Sequence, residues 1–160
     1  MNWLKLLKRK AQIIFSLSEY ERSLLFQALC LLPAVAILVN FKGLRFSQKM
    51  LLRLPTSSSS VDDTVAEIDR VWMTERMVRV AVRYNHLWTN CLKQSLVLWI
   101  LLRSQGIISE LRIGVQRESD KFSAHAWVEY QGVVLNDTED VRQRFQAFDR
   151  SFEQPVGEKL

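Results

Sequence analysis

The stretch that most constrains this fold runs from Thr89-Asn90-Cys91-Leu92-Lys93-Gln94-Ser95 into an apolar block, Leu96 to Leu102. Asn90 is a good N-cap, because its side-chain oxygen can accept a backbone N–H from the open first turn. Cys91 then falls at the first helical position. Val97 to Leu102 is apolar on every side, which predicts a helix buried in the middle of a domain rather than laid on its surface. Gly106 suits a left-handed stop after Ser104-Gln105. Such a helix is about 14 residues, roughly 21 Å long. A thiol at its start lies in the positive end of the macrodipole, an environment that favours a reactive thiolate. The bland alternative is that Cys91 is a small buried apolar residue, the common fate of a free cysteine.

A chain of 160 residues holds one domain with a real core, or one domain plus an appendage. The net charge of +5 is basic, yet no run of five or six like charges demands nucleic acid. The two cysteines, Cys30 and Cys91, form no CxxC pair and no Cys/His cluster, so neither a structural zinc site nor another metal or organic cofactor is indicated. A reducing, cytoplasmic compartment is expected.

Ser18 and Glu21 make a capping box before the run Leu24 to Val39, which is interrupted by Gln27 and Pro33. As a helix this run spans about 24 Å, short of the roughly 30 Å hydrocarbon core. Basic residues flank it, Lys8, Arg9 and Lys10 before and Lys42, Arg45 and Lys49 after. It reads first as a kinked core or interfacial helix hairpin, ahead of a membrane span, a processed signal or a docking surface. Pro55-Thr56 and Ser57 to Ser60 look like a linker. The chain therefore divides into an apolar helical segment, 1–55, and a domain, 60–160. Val61, Val65, Ile68 and Trp72 form a helical stripe; the helix continues with Met77, Val78, Ala81 and Val82 to about Tyr84 and is expected to pack on the cysteine helix, with Asp69, Arg70, Glu75, Arg76 and Arg79 as a solvated face. Ser109 to Val115 alternates like a half-buried strand, Gln116 to Phe122 reads as a loop, and Ser123 to Asp137 reads as a hairpin about Gln131-Gly132. Phe145, Phe148 and Phe152 point to one short helix near the end.

A nucleophilic thiol needs a base and a group that orients the base. Of the two histidines, His86 lies in a loop five residues before Cys91, a separation that does not carry its side chain across a helix N-terminus. His125 lies in a strand, and a strand packed beside the helix does so. A two-residue turn would pair His125 with Thr138. A three-residue turn, Tyr130-Gln131-Gly132, pairs Glu129 with Val133 and His125 with Asp137. In that register Asp137 shares a face with His125 and fixes its tautomer, while Asn136 points to the other face. The order and spacing favour Cys91, His125 and Asp137 as a catalytic triad over three unrelated structural residues.

At these positions the chain resembles the lasso peptide maturation proteases, a transglutaminase-like branch of the papain-like cysteine enzymes. The likeness lies in Asn90-Cys91-Leu92-Lys93-Gln94-Ser95-Leu96, Leu101 to Ile107, Leu111 to Val115, Phe122-Ser123-Ala124-His125-Ala126-Trp127-Val128-Glu129 and Asn136-Asp137. It covers about residues 60 to 145. It implies an α+β fold in which a small antiparallel sheet packs on the cysteine helix. It also implies a cysteine endopeptidase that removes the leader of a ribosomally made precursor peptide, with a preference for threonine two residues before the core. Cys91 would be the nucleophile, His125 the base and Asp137 its orienter. The implied partners are the precursor, a separate leader-binding protein and an ATP-using lasso cyclase, with no nucleic acid. An acyltransferase of the transglutaminase type and a non-catalytic docking scaffold are the rival expectations. Trp88 or Asn85 is a candidate second oxyanion donor, and a peripheral membrane contact through the N-terminal segment is a further expectation.

Overall fold

A computed structural model of the chain describes residues 16–51, 64–85, 89–118 and 121–147. Three helices come first: α1 (Glu19–Leu51), α2 (Thr64–Tyr84) and α3 (Cys91–Ser104). They are followed by β1 (Glu110–Glu118), β2 (Lys121–Tyr130), β3 (Val133–Val134), the short helix α4 (Val141–Arg144) and β4 (Gln146–Ala147). The sheet has the order β3-β2-β1-β4, with β2 antiparallel to both its neighbours and β1 antiparallel to β4. This is an α+β fold, the three long helices on one side of a small antiparallel sheet and the single turn α4 on the other.

Helix α3 is the axis of the core. The Asn90 side chain accepts the Lys93 N–H at 3.0 Å, and Ser95 to Leu102 are all buried. At its far end the Ile107 N–H reaches the Leu102 carbonyl and the Gly106 N–H reaches that of Arg103, with Gly106 at φ 78°. Those two bonds are a Schellman stop, which requires the left-handed residue that glycine supplies. Leu96, Leu98, Leu101 and Leu102 pack with Val71 and Val78 of α2, Leu111 of β1 and Val128 of β2.

Helix α1 begins at the expected capping box, where Ser18 N–H donates to Glu21 and Glu21 N–H donates to the Ser18 hydroxyl. It is one helix of 33 residues running through Pro33, not a hairpin. Leu24, Leu25, Ala28, Leu32 and Val35 belong to the same core cluster as α3. The linker positions 56–60 lie outside the described residues.

The second half of the α2 stripe is buried as expected, at Met77, Val78 and Ala81 with Val82 partly so, but its first half is displaced. Val65, Ile68 and Trp72 are exposed, Val61 lies outside the described residues, and Val71 and Thr74 are buried there instead. Glu75 is buried as well, held by Arg79 at 2.6 Å, rather than on a solvated face. Burial pushes its carboxyl up, against the lowering effect of Arg79. The period alone cannot choose between two neighbouring apolar arcs, and packing against α1 and α3 selects the second.

The strands β1 and β2 are longer than expected and extend through most of the segment read as a loop, to Glu118 and from Lys121. Of the segment expected to form a short terminal helix, Phe148 and Phe152 lie outside the described residues; before them come the single turn α4, Phe145 in extended backbone, and β4.

Candidate active site

Alternation along β2 sorts its side chains onto two faces. Ala126, Val128 and Tyr130 are buried beneath the helices, the last two within the α3 cluster. His125, Trp127 and Glu129 take the opposite face. There Trp127 packs in a second, small cluster with Val134, Val141 and Phe145. Gly114, paired with His125 across the ladder, makes room for it: a Cβ there would lie 3.0 Å from both Trp127 and Phe145. The His125 ring stacks on Phe145 with centroids 4.9 Å apart, and it lies 6.3 Å from the Trp127 ring. The strand therefore does not aim His125 at the body of α3.

The hairpin register also differs from the one that favoured the triad. Tyr130 pairs with Val133 and Glu129 with Val134, a two-residue turn with Gln131 at φ 48° and Gly132 at φ 80°. Two consecutive positive φ values are the type I′ geometry that matches strand twist. Continued strictly, this register would set Thr138 opposite His125. It does not continue. The Leu135 N–H still reaches the Val128 carbonyl at 2.9 Å, but the Val128 N–H is taken by the Asn136 side-chain oxygen at 2.8 Å. The main chain leaves the ladder there, and the Asp137 carboxylate turns back onto His125 Nε2. The His125–Asp137 contact is present, made by a strand break rather than by cross-strand pairing.

Burial would raise the Asp137 carboxyl. Hydrogen bonds from the Thr138 N–H, the His125 ring and the Thr138 hydroxyl outweigh it, so the group lies below the ordinary aspartate value. Arg144 adds an ion pair at 2.9 Å. An ionised carboxylate only accepts, so Nε2 is the donor of this contact and Nδ1 is the ring nitrogen left for another partner.

Cys91 is half-buried at the first position of α3. One turn further on, the Ser95 hydroxyl donates to the Ala126 carbonyl at 2.9 Å and accepts from Asn136 Nδ2 at 2.8 Å. The Asn136 amide thus ties the cysteine helix, the strand of His125 and the residue before Asp137 into one junction. Among the described residues no hydrogen bond joins Cys91 to His125 or to Asp137. His86 and Trp88 lie outside the described residues. Asn85 directly follows α2, its carbonyl accepting from the Thr89 hydroxyl at 3.2 Å.

Sequence reasoning missed three members of this site. Ser95 could have been found as the one hydroxyl in an apolar run, four residues from Cys91 and so on the same helix face. Phe145 and Arg144 carried no signal, since their approach to His125 and Asp137 depends on the turn at α4.

Glu129 is a structural counterpart on the same face. Burial would raise it, but hydrogen bonds from Arg142 and Trp127 and the nearby charges of Arg142 and Arg112 hold it below the usual glutamate value. The bonds from Arg142 and the Trp127 indole measure 2.9 and 2.7 Å.

The chain has no match among curated proteins or solved structures. Residues 28–149 match the model of a family described as the transglutaminase-like superfamily, which takes in α1 from Ala28 onward, α2, α3 and all four strands. The matched region holds Cys91, His125 and Asp137 together with the Ser95–Asn136 junction, and the chain belongs to the transglutaminase-like superfamily.

Proposed function

We propose that the protein is a cysteine endopeptidase that removes the leader from a ribosomally made lasso peptide precursor, with Cys91 as nucleophile, His125 as base and Asp137 as its orienter. The observation that carries this reading is the His125–Asp137 pair, set one residue from the Ala126 carbonyl that anchors Ser95. The direction of α3 supports it too. Trp99 bonds the Ser109 carbonyl, beside the Glu110–Glu129 pair, and Ser95 bonds Ala126. Going back along α3 therefore goes back along β2. One more turn, about 6 Å, carries Cys91 toward the level of His125, midway along β2. β3 pairs only with Glu129 and Tyr130, so the edge of β2 is open beside His125, and in this reading the two side chains approach around that edge rather than across the face.

In this mechanism His125 Nδ1 takes the thiol proton and the thiolate attacks the scissile carbonyl. The oxyanion is held by the Cys91 backbone N–H at the open start of α3. The imidazolium, steadied by Asp137, returns its proton to the departing amine, and a thioester remains. Water, deprotonated by His125, hydrolyses the thioester and frees the leader carboxyl and the thiol. The cut supplies the core peptide to a separate cyclase, and a leader-binding protein presents the precursor. The sequence likeness to lasso maturation proteases supports the choice of substrate.

The test is a cleavage assay with precursor peptide and its leader-binding protein, without ATP, read by mass spectrometry. A leader fragment is expected from the native chain and from neither Cys91→Ala nor His125→Ala. A folded native chain that leaves a partner-bound precursor intact would contradict the peptidase reading.

A further inference from the structure

Helix α1 carries two apolar faces, and the fold uses one. Leu24, Leu25, Ala28, Leu32, Val35 and Ala36 are buried in the core. On the other side Phe26 is 68% exposed, Ile37 51% and Phe41 84%, and Cys30 between them is exposed too. Steps of four, seven and four residues put these four on one side of a helix. Within the described residues, Glu19–Phe41 is the one stretch long and apolar enough to cross a membrane by length and composition. Its packing argues against crossing in the folded state. The buried face would have to leave the core it shares with α2 and α3, and the Arg76–Glu21 ion pair at 3.5 Å would break.

Charge says what covers the free face. Up to Arg53 the chain has nine basic and two acidic residues; beyond it there are thirteen basic and fifteen acidic. The whole positive excess thus belongs to the segment that carries the apolar stripe. Lys5, Lys8, Arg9 and Lys10 precede the helix, and Lys42, Arg45 and Lys49 occupy its last turns. An apolar face with flanking cations is the pattern of a helix lying in the interface of an anionic bilayer.

We propose that α1 docks the folded enzyme flat on an anionic lipid surface, with Phe26, Cys30, Ile37 and Phe41 entering the acyl boundary and the positive charge of the N-terminal third drawing the helix to the headgroups. This stands independently of which peptide bond the enzyme cuts.

The test is flotation of the full-length chain with vesicles of phosphatidylcholine alone or with phosphatidylglycerol. The chain floats with the anionic vesicles and is released by alkaline carbonate. The exposed-face variant Phe26→Ser/Ile37→Ser/Phe41→Ser keeps the native circular dichroism spectrum and binds at least about tenfold more weakly. Reversing Lys42, Arg45 and Lys49 to glutamate weakens binding to anionic vesicles by about 100-fold. Failure to float, equal binding to neutral vesicles, or resistance to carbonate would each overturn the proposal, the last in favour of a span. So would a stable dimer in solution that the serine variant abolishes, since a second copy would then cover the stripe.

Discussion

The two faces of the sheet are built from different materials. Toward the helices β1 and β2 present Leu111, Ala126, Val128 and Tyr130 to an apolar core, crossed by the Ser95–Asn136 bridge and, at its rim, by the Tyr130–Glu67 hydrogen bond. On the other side four apolar residues, Trp127, Val134, Val141 and Phe145, share the surface with His125–Asp137–Arg144 and Arg112–Glu129–Arg142. The first face holds the fold and carries the helix that begins at Cys91. The second holds the candidate base in a chosen tautomer. A site that needs both would form where the faces meet, at the open edge of β2 beside the helix start, where the Ser95–Asn136 junction lies.

If the faces divide labour in this way, substitutions should separate activity from stability. The largest effect is expected at the second face. His125→Ala should cut peptide cleavage by about 10³-fold or more, and Asp137→Asn by about 10²–10⁴-fold through loss of the anion that sets the tautomer. Thermal melts should show little change beside these losses. Leu98→Ala, under the first face, should do the reverse. It should cost about 2–5 kcal/mol of unfolding free energy in denaturant titration, while activity per folded molecule stays within about twofold. An equal loss of activity in the Leu98 variant would break the comparison.

Smaller effects sharpen it. Glu129 has a folded pKa below its unfolded value, so it binds fewer protons when folded and stabilises the protein above the ordinary carboxylate range. The stability gap between the native chain and Glu129→Gln should be constant from about pH 5 to 8 and close as pH falls below about 4. A gap that widens in acid would reverse the assigned sign. The smallest change concerns the hairpin. Gln131 holds φ 48°, a region that costs a side-chain-bearing residue free energy. Gln131→Gly should raise stability by about 0.5–1 kcal/mol, and a drop of that size would argue against the two-residue turn.

The contrast also shows what the sequence could and could not disclose. Helix α3 was legible from cap to stop because Asn90, the apolar run and Gly106 act within a few residues of one another. The α+β layout followed from the change of period after Gly106. The pairing of His125 with Asp137 was legible as an outcome but not as a geometry. It rests on the Asn136 side chain replacing a main-chain acceptor, a competition that no alternation pattern records. The α2 stripe is legible in its second half, at Met77, Val78 and Ala81, and not in its first, where the buried arc is set by two partner helices. A charged residue reads as solvated from sequence, and Glu75 is buried because Arg79, one turn on, pairs with it.

The most direct test of the central claim uses the chain's two thiols against each other. Cys30 is exposed and Cys91 is half-buried, so access alone favours alkylation of Cys30. Iodoacetamide labelling near pH 6, read at each cysteine by peptide mass spectrometry, should instead show Cys91 reacting first in the native chain. That preference should vanish in His125→Ala while Cys30 labelling stays unchanged. Faster labelling of Cys30 in both proteins would mean that His125 does not activate Cys91, and the two faces would then share a fold but no active site.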